Sequence, residues 1–273
     1  MSQTSLLVRF SSLFFCLVLI VPNATPAPRI ACCTQQNIAA SPVTLQAALA
    51  ALSPNIAISD VTLSGSVRRI AGSDDETGAA TLKAISSGAA RADLSLSSGP
   101  SSEIQNLSAT TPGGEWSGPD GVAHPIAFHN LLAEPAWFFP TFAISRRLSS
   151  AYTITDLGPT TRNGQQVEHI SVSQNPPYPF SADGVSFQHL TQLDFFIDAA
   201  TFLPAAIVFS VHPNNNALVD IPVEVDFTDY RSVSGAQVPF HVQKFLNGTL
   251  LLDIQLQNVT LNSGIVATAF AIQ

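Results

Sequence analysis

Apolar and polar residues alternate along most of this chain, and the few places where the period changes divide it. Ser41 and Pro42 form an N-cap with proline at the first helical position. They open an Ala/Leu-rich run, residues 43–52 (VTLQAALAAL), that stops at Ser53-Pro54 and predicts one short helix. The period then becomes two. Val61, Leu63 and Val67 alternate with Thr62, Ser64 and Ser66, and the acidic stretch 72–78 (GSDDETG) predicts the turn of a hairpin whose second strand is 80–85. Leu94 and Leu96 mark a third strand and residues 103–107 a fourth. Residues 108–148 break the pattern with Pro112-Gly113-Gly114, Gly118-Pro119 and His124-Pro125, followed by the aromatic run 129–142 (HNLLAEPAWFFPTF). Alternation returns at 152–156 and 165–173, pauses at 175–184 (NPPYPFSADG), and then runs almost to the C-terminus. Leu193, Phe195 and Ile197 form one apolar face. The next faces are Leu203, Ala205, Ile207, Phe209 and Val211; Val223, Val225 and Phe227; Val238, Phe240 and Val242; and Leu250, Leu252, Ile254 and Leu256. Residues 214–216 and Asn247-Gly248 supply turns between them.

So many consecutive strands with one apolar face require a cover. The pattern predicts a mainly β (α+β) protein: a curved antiparallel sheet forming an incomplete barrel, with a short N-terminal helix and a helical/loop insertion covering the apolar face. The domain division it implies is a signal peptide at 1–27, a flexible linker at 28–40, and a single antiparallel β domain at 41–273 carrying the irregular aromatic insertion at 108–148.

The leader rests on Arg9 as a positive n-region, the unbroken apolar run 13–21, and the helix-breaking stretch 22–28. The run is shorter than the ~20 residues a spanning helix needs, so export is expected and no transmembrane span in the mature chain. Cys16 lies in the leader, which leaves the adjacent Cys32 and Cys33 unable to staple the fold. Cys32 is a candidate for a lipid anchor. Against this, Arg29 stands where a lipoprotein signal carries an aliphatic residue.

Composition narrows the function. Only 11% of the 273 residues are charged, against about 25% in an ordinary soluble domain, and the formal charge is -8 with 11 Lys+Arg against 19 Asp+Glu. With Lys83 and Lys244 as the only lysines, no basic stripe exists to neutralise phosphates, which excludes nucleic acid as a partner. No GxSxG elbow, HExxH helix, nucleotide-binding glycine loop or CxxC pair occurs. His124, His129 and Glu134 are equally spaced by five, which matches neither one helical face nor a hydrolase motif, so no metal and no cofactor is expected. His169, His189, His212 and His241 are scattered along predicted strands and turns.

The C-terminal third carries a resemblance. Ile197-Asp198, Thr201, Leu203-Pro204, Asp226-Phe227, Asp229-Tyr230-Arg231, Val233, Gly235, Val238-Pro239-Phe240, Asn247-Gly248, Val259, Leu261-Asn262 and Ile265 together resemble the LolA/LolB-like superfamily of periplasmic lipoprotein carriers. The resemblance spans roughly 190–270. It implies an incomplete antiparallel barrel, lined with apolar side chains and plugged by short helices, that shelters an acyl chain in transit. Most of the matching positions also have a structural reading as turns and bulges.

Two groups are candidate ligand contacts. Counting by two from Val61 reaches Arg69, which places a cation in line with the apolar face, where it meets an acidic head group or pairs with Asp74, Asp75 or Glu76. Trp116, Phe128, Trp137, Phe138, Phe139 and Phe142 either line an acyl cavity or fill a core. Arg146-Arg147 reads as a solvated helix end. The leading expectation is an exported, periplasmic or secreted envelope protein that binds an acyl chain of a lipid or lipoprotein, with an envelope protein as a further partner. The alternatives are a secreted hydrolase with a site in 112–142 using His124 or His129, and a structural envelope protein whose apolar face is filled by 43–52 and 128–142.

Overall fold

The computed structural model describes residues 43–176 and 183–272. The leader, the linker and Cys32 and Cys33 lie outside the described residues, as do Ser41, Pro42 and most of the 175–184 pause.

The predicted helix is α1 (Val43–Leu52), which ends at Ser53-Pro54, where proline cannot continue it. The strands that follow are β1 (Asp60–Ala71), β2 (Asp74–Ile85), β3 (Ala89–Leu96), β4 (Gly99–Asn106), β5 (Gly113–Ser117) and β6 (Ala123–Pro125). Helices α2 (Phe128–Leu131) and α3 (Pro140–Arg147) come next. After them the chain forms β7 (Tyr152–Arg162), β8 (Gln165–Gln174), α4 (Asp183–Leu190), β9 (Leu193–Asp198), β10 (Pro204–Val211), β11 (Ile221–Val233), β12 (Ala236–Leu246) and β13 (Thr249–Leu261). The thirteen strands among the described residues form one antiparallel sheet in the order β6-β5-β4-β3-β2-β1-β13-β12-β11-β10-β9-β8-β7.

That order explains the open barrel. Every strand pairs with its neighbour in sequence except at one seam, where β1 meets β13 with Val61 opposite Leu261 and Arg69 opposite Leu252. The two halves of the meander therefore spread from this seam, and the free edges are β6 and β7. Residues 126–151 connect those edges. The insertion is thus a strap between the two lips of an incomplete barrel.

Register fixes which end is filled. Asp60 pairs with Ile85 and Ala71 with Asp74, so the turns at 86–88 and 234–235 share one end of the sheet and those at 72–73, 97–98 and 247–248 the other. Helix α1 packs against α3 and β12 and covers the first end, leaving an open depression of about 630 Å³ on its outer side, lined by Ile58, Ser86 and Leu148. Leu45, Ala48 and Leu52 of α1 are fully buried with Leu63, Leu82, Phe195, Ile207 and Val242 of the sheet. Phe138, Phe139 and Phe142 from the strap join them, each burial worth roughly 1.5–3 kcal/mol.

Four local expectations are corrected. The acidic stretch 72–78 is not a seven-residue turn: Gly72, at φ 63°, and Ser73 make the turn alone, and β2 begins at Asp74. Cross-strand pairs draw the acids into the ladder, Arg68 bonding Asp75 at 2.6 Å and Arg69 meeting Glu76 at 3.4 Å. The irregular insertion does not begin at 108, because β5 and β6 extend the sheet to Pro125, and the Gly and Pro clusters punctuate these short strands. Helix α4 interrupts what reads as continuous strand after 184. Ala205 does not join the inner face of β10. A bulge between Pro204 and Ala206 shifts the register, so that Ala206 and Ile207 are both fully buried.

Candidate functional site

The strap fills only part of the concave face. Towards the open end the structure leaves two adjoining cavities of about 380 and 240 Å³. The first is apolar in the main, walled by Leu82, Ala92, Leu94 and Leu96 of β2 and β3 and by Leu251 and Leu252 of β13. A bulge in β13 makes this wall: Lys244 pairs with Leu252 and Phe245 with Leu250, so Leu251 is the extra residue and both leucines reach the cavity. The second cavity is lined by Ile126, Phe209, Val211, Val223 and Leu246, and by the polar residues Gln105, Asn130, His212 and Asn214. Glu103, Trp116, Trp137, Lys244 and Leu251 border both.

The sequence candidates separate into three groups. Arg69, Trp116 and Trp137 line the first cavity. Trp116 is 44% exposed and stacks on His124 with ring centroids 4.4 Å apart, whereas Trp137 is buried. Phe138, Phe139 and Phe142 are core residues, with Phe139 and Phe142 edge to face at 4.9 Å. Phe128 stands apart: it is 69% exposed and lines a different depression, beside Pro135 and Arg146. The Arg69 guanidinium is paired with Glu76, whose carboxylate also accepts the Ser97 hydroxyl and the Ser98 N–H. The Ser98 and Ser97 side chains, helped by the Ser98 N–H and the Arg69 charge, hold the Glu76 carboxyl below its usual range.

Lys244 is the cavity residue that sequence reasoning passed over. Counting by two from Val238, Phe240 and Val242 reaches it, as the same count on β1 reaches Arg69. Its ammonium lies 4.3 Å from the centre of the Trp137 ring, within reach of a cation–π attraction, and no carboxylate among the described residues pairs with it.

Arg146 and Arg147 do not form a solvated helix end. Both reach Glu134, whose side chain is fully buried, and the Arg147 side chain is only 6% exposed. Burial alone would raise the Glu134 pKa, but the two guanidiniums outweigh it and bring it down to about 2. Glu134 also accepts the Ala136 N–H at 2.9 Å. The triad therefore ties the two ends of the aromatic run together and holds Trp137 in place between them.

The scattered histidines are also partly gathered. His129, His189 and His212 meet beside Asp220, with ring centroids 5.8 Å apart for His129 and His212 and 6.0 Å for His189 and His212. His189 bonds Asp220 at 2.8 Å. His129 Nε2 lies 3.1 Å from the Pro213 carbonyl and His212 Nδ1 3.1 Å from that of Val219, so these nitrogens are occupied as donors. His124 stays apart on Trp116. Among the described residues no group of three or more His, Cys, Asp or Glu could hold a metal ion.

An antiparallel sheet left open at two edges, strapped by helices and hollow at one end, defines the class of open half-barrels. Within that class the chain has the LolA-like fold. It is similar to a LolA superfamily protein from Nitrosomonas europaea at 8% identity and a TM-score of 0.50, over 84% of this chain and 96% of that one. It is similar to a DUF1329 family protein from Desulfovibrio piger at 9% identity and a TM-score of 0.51, over 84% and 96%. It also resembles a candidate outer membrane lipoprotein-sorting domain from Vibrio parahaemolyticus at 11% identity and a TM-score of 0.51, over 83% and 95%. No protein-family model matches the chain, and no curated protein matches its sequence. At these identities the likeness is one of fold. Among the described residues no helix is long and apolar enough to cross a membrane.

Proposed function

We propose that this protein is an exported carrier that holds an acyl chain of a lipid or lipoprotein in the cavity at the open end of its half-barrel. The observation that carries the reading is the apolar wall of Leu82, Ala92, Leu94, Leu96, Leu251 and Leu252 around a space of about 380 Å³, within the range of small-ligand sites. Trp116 and Trp137 supply aromatic contact area to the same space. The spaces of about 380 and 240 Å³ support this reading over the alternative of a self-filled core, in which α1 and the strap would occupy the whole concave face. Export rests on the 1–27 leader, and a mature protein whose mass begins near residue 28 tests it.

Native mass spectrometry of the full chain, purified without detergent and followed by lipid extraction, tests the binding. A stoichiometric acylated adduct is expected, and it should be lost in Ala92→Phe, which places a ring in the cavity. An apo mass that takes up neither added fatty acid nor lysolipid would sink the carrier reading.

A further inference from the structure

The two cavities share one charge of each sign, Lys244 of β12 and Glu103 of β4, which border both spaces. Neither forms an ion pair among the described residues. The Lys244 ammonium lies 4.3 Å from the centre of the Trp137 ring, and Glu103 accepts the Gln105 amide N–H at 3.0 Å. On the sheet the two stand far apart, with β3, β2, β1 and β13 between their strands, about 24 Å along the sheet at the usual strand spacing. Curvature of the half-barrel turns both towards the same space. Ala92 and Leu82 beside Glu103, and Leu252 beside Lys244, make the apolar floor between them, so the two charges border one space without meeting across it.

Glu103 also has a tryptophan beside it. It sits directly opposite Trp116 in the β4–β5 ladder, and Trp116, partly exposed with His124 stacked on its ring, borders both cavities as well. A carboxylate next to an indole ring suits an ammonium group, which gains a charge-assisted hydrogen bond from the one and a cation–π attraction from the other. Lys244 suits an anion. The other charges at the cavities are already neutralised: Arg69 is paired with Glu76, and Glu134 with Arg146 and Arg147. A ligand with only a negative group would meet Lys244 and leave Glu103 facing it with the same sign. A ligand with one charge of each sign satisfies both.

We infer that the amphiphile held in this half-barrel has a zwitterionic head group, a phosphate ester that carries an ammonium: the phosphate meets Lys244, and the ammonium meets Glu103 and Trp116. This rests on the carrier reading and adds the class of head group. The acyl chain lies along the leucine wall of the first cavity, and the head group sits where the two cavities adjoin, since all three of its contacts border both. Phosphoethanolamine and phosphocholine share this chemistry, whereas a phosphoglycerol lacks the ammonium.

The only two tryptophans of the chain, Trp116 and Trp137, line both cavities, so intrinsic fluorescence reports binding directly. The full chain is titrated with lipids of one chain length: lysophosphatidylethanolamine, lysophosphatidylcholine, lysophosphatidylglycerol and monoacylglycerol. Both zwitterions should bind at least about tenfold tighter than lysophosphatidylglycerol, which lacks the ammonium, and than monoacylglycerol, which lacks both charges. Glu103→Gln should bring lysophosphatidylglycerol to within about twofold of the zwitterions. Lys244→Met should weaken the zwitterions about tenfold and leave monoacylglycerol within about twofold of its wild-type affinity. Glu103→Asp and Lys244→Arg keep the charges and should keep the preference. Two groups that served only to neutralise each other would shift all four lipids alike. Equal binding of all four, a preference for lysophosphatidylglycerol, or a preference for the zwitterions that survives in Glu103→Gln would overturn the head-group assignment and leave the carrier reading standing. If none of the four binds, both fail.

Discussion

Glu134→Gln removes one negative charge from a site where two guanidiniums depend on it. The Glu134 side chain is fully buried, and those of Arg147 and Arg146 are only 6% and 18% exposed. The amide that replaces the carboxylate is nearly the same size, so the change is electrostatic rather than steric. Breaking a buried pair costs about 3–5 kcal/mol because the remaining charges stay desolvated. An independent route gives a similar size: the fall of the Glu134 pKa from 4.5 to about 2, at ~1.4 kcal/mol per pH unit, corresponds to about 3 kcal/mol. For a domain of this length that lowers Tm by roughly 6–12 °C. The pH dependence follows from the depressed carboxyl. Its stabilisation is complete above the unfolded pKa near 4.5 and is lost as pH falls through the folded value near 2. Urea denaturation followed by circular dichroism, at pH 7 and at steps down to pH 2, measures this directly. The gap between wild type and Glu134→Gln should be full at pH 7 and close as the wild-type carboxyl protonates. A variant within about 1 kcal/mol of wild type at pH 7, or a gap as wide at pH 2 as at pH 7, would refute the triad as the fastening of the strap.

Gly65→Ala should cost about 3 kcal/mol, at the upper end of overpacking, because its Cβ would sit 2.0 Å from the Gln255 carbonyl oxygen, where β13 crosses β1 at a bulge; denaturant midpoints check it. Tyr230→Phe should cost about 1 kcal/mol by leaving the Pro204 carbonyl, now 2.8 Å from the phenolic oxygen, without its donor. Arg68→Ala should leave the melting temperature at the wild-type value, since Arg68 and Asp75 are each half exposed and solvent screens the pair; a clear drop in the melt would contradict this.

Periodicity and punctuation carried much of the architecture. The run 43–52 coincides with α1, because proline bounds it and its interior has no helix breaker. Leu193, Phe195 and Ile197 are all buried, as are Val223, Val225 and Phe227, since a strand with one wet face cannot hide its period of two. The same count on β1 and β12 selects Arg69 and Lys244 as cations on the inner face. Less legible were β5, β6 and the acidic start of β2: Gly, Pro and like charges read as loop until cross-strand partners are known, and those partners lie on other strands.

What a single residue's surroundings would be was settled only by long-range closure. Arg146 and Arg147 have the pattern of a helix end, and they are interior because Glu134 is folded back beneath them. Lys244 meets Trp137 only when the seam between β1 and β13 has brought the two halves of the meander around the strap. Periodicity along one strand states which face turns inward, so the sequence by itself determined an apolar inner face that needed a cover. How much of that face the cover leaves open depends on the volumes of side chains from distant segments packed at one end, and only the tertiary structure decided it, with the strap filling one end of the half-barrel and a cavity left at the other.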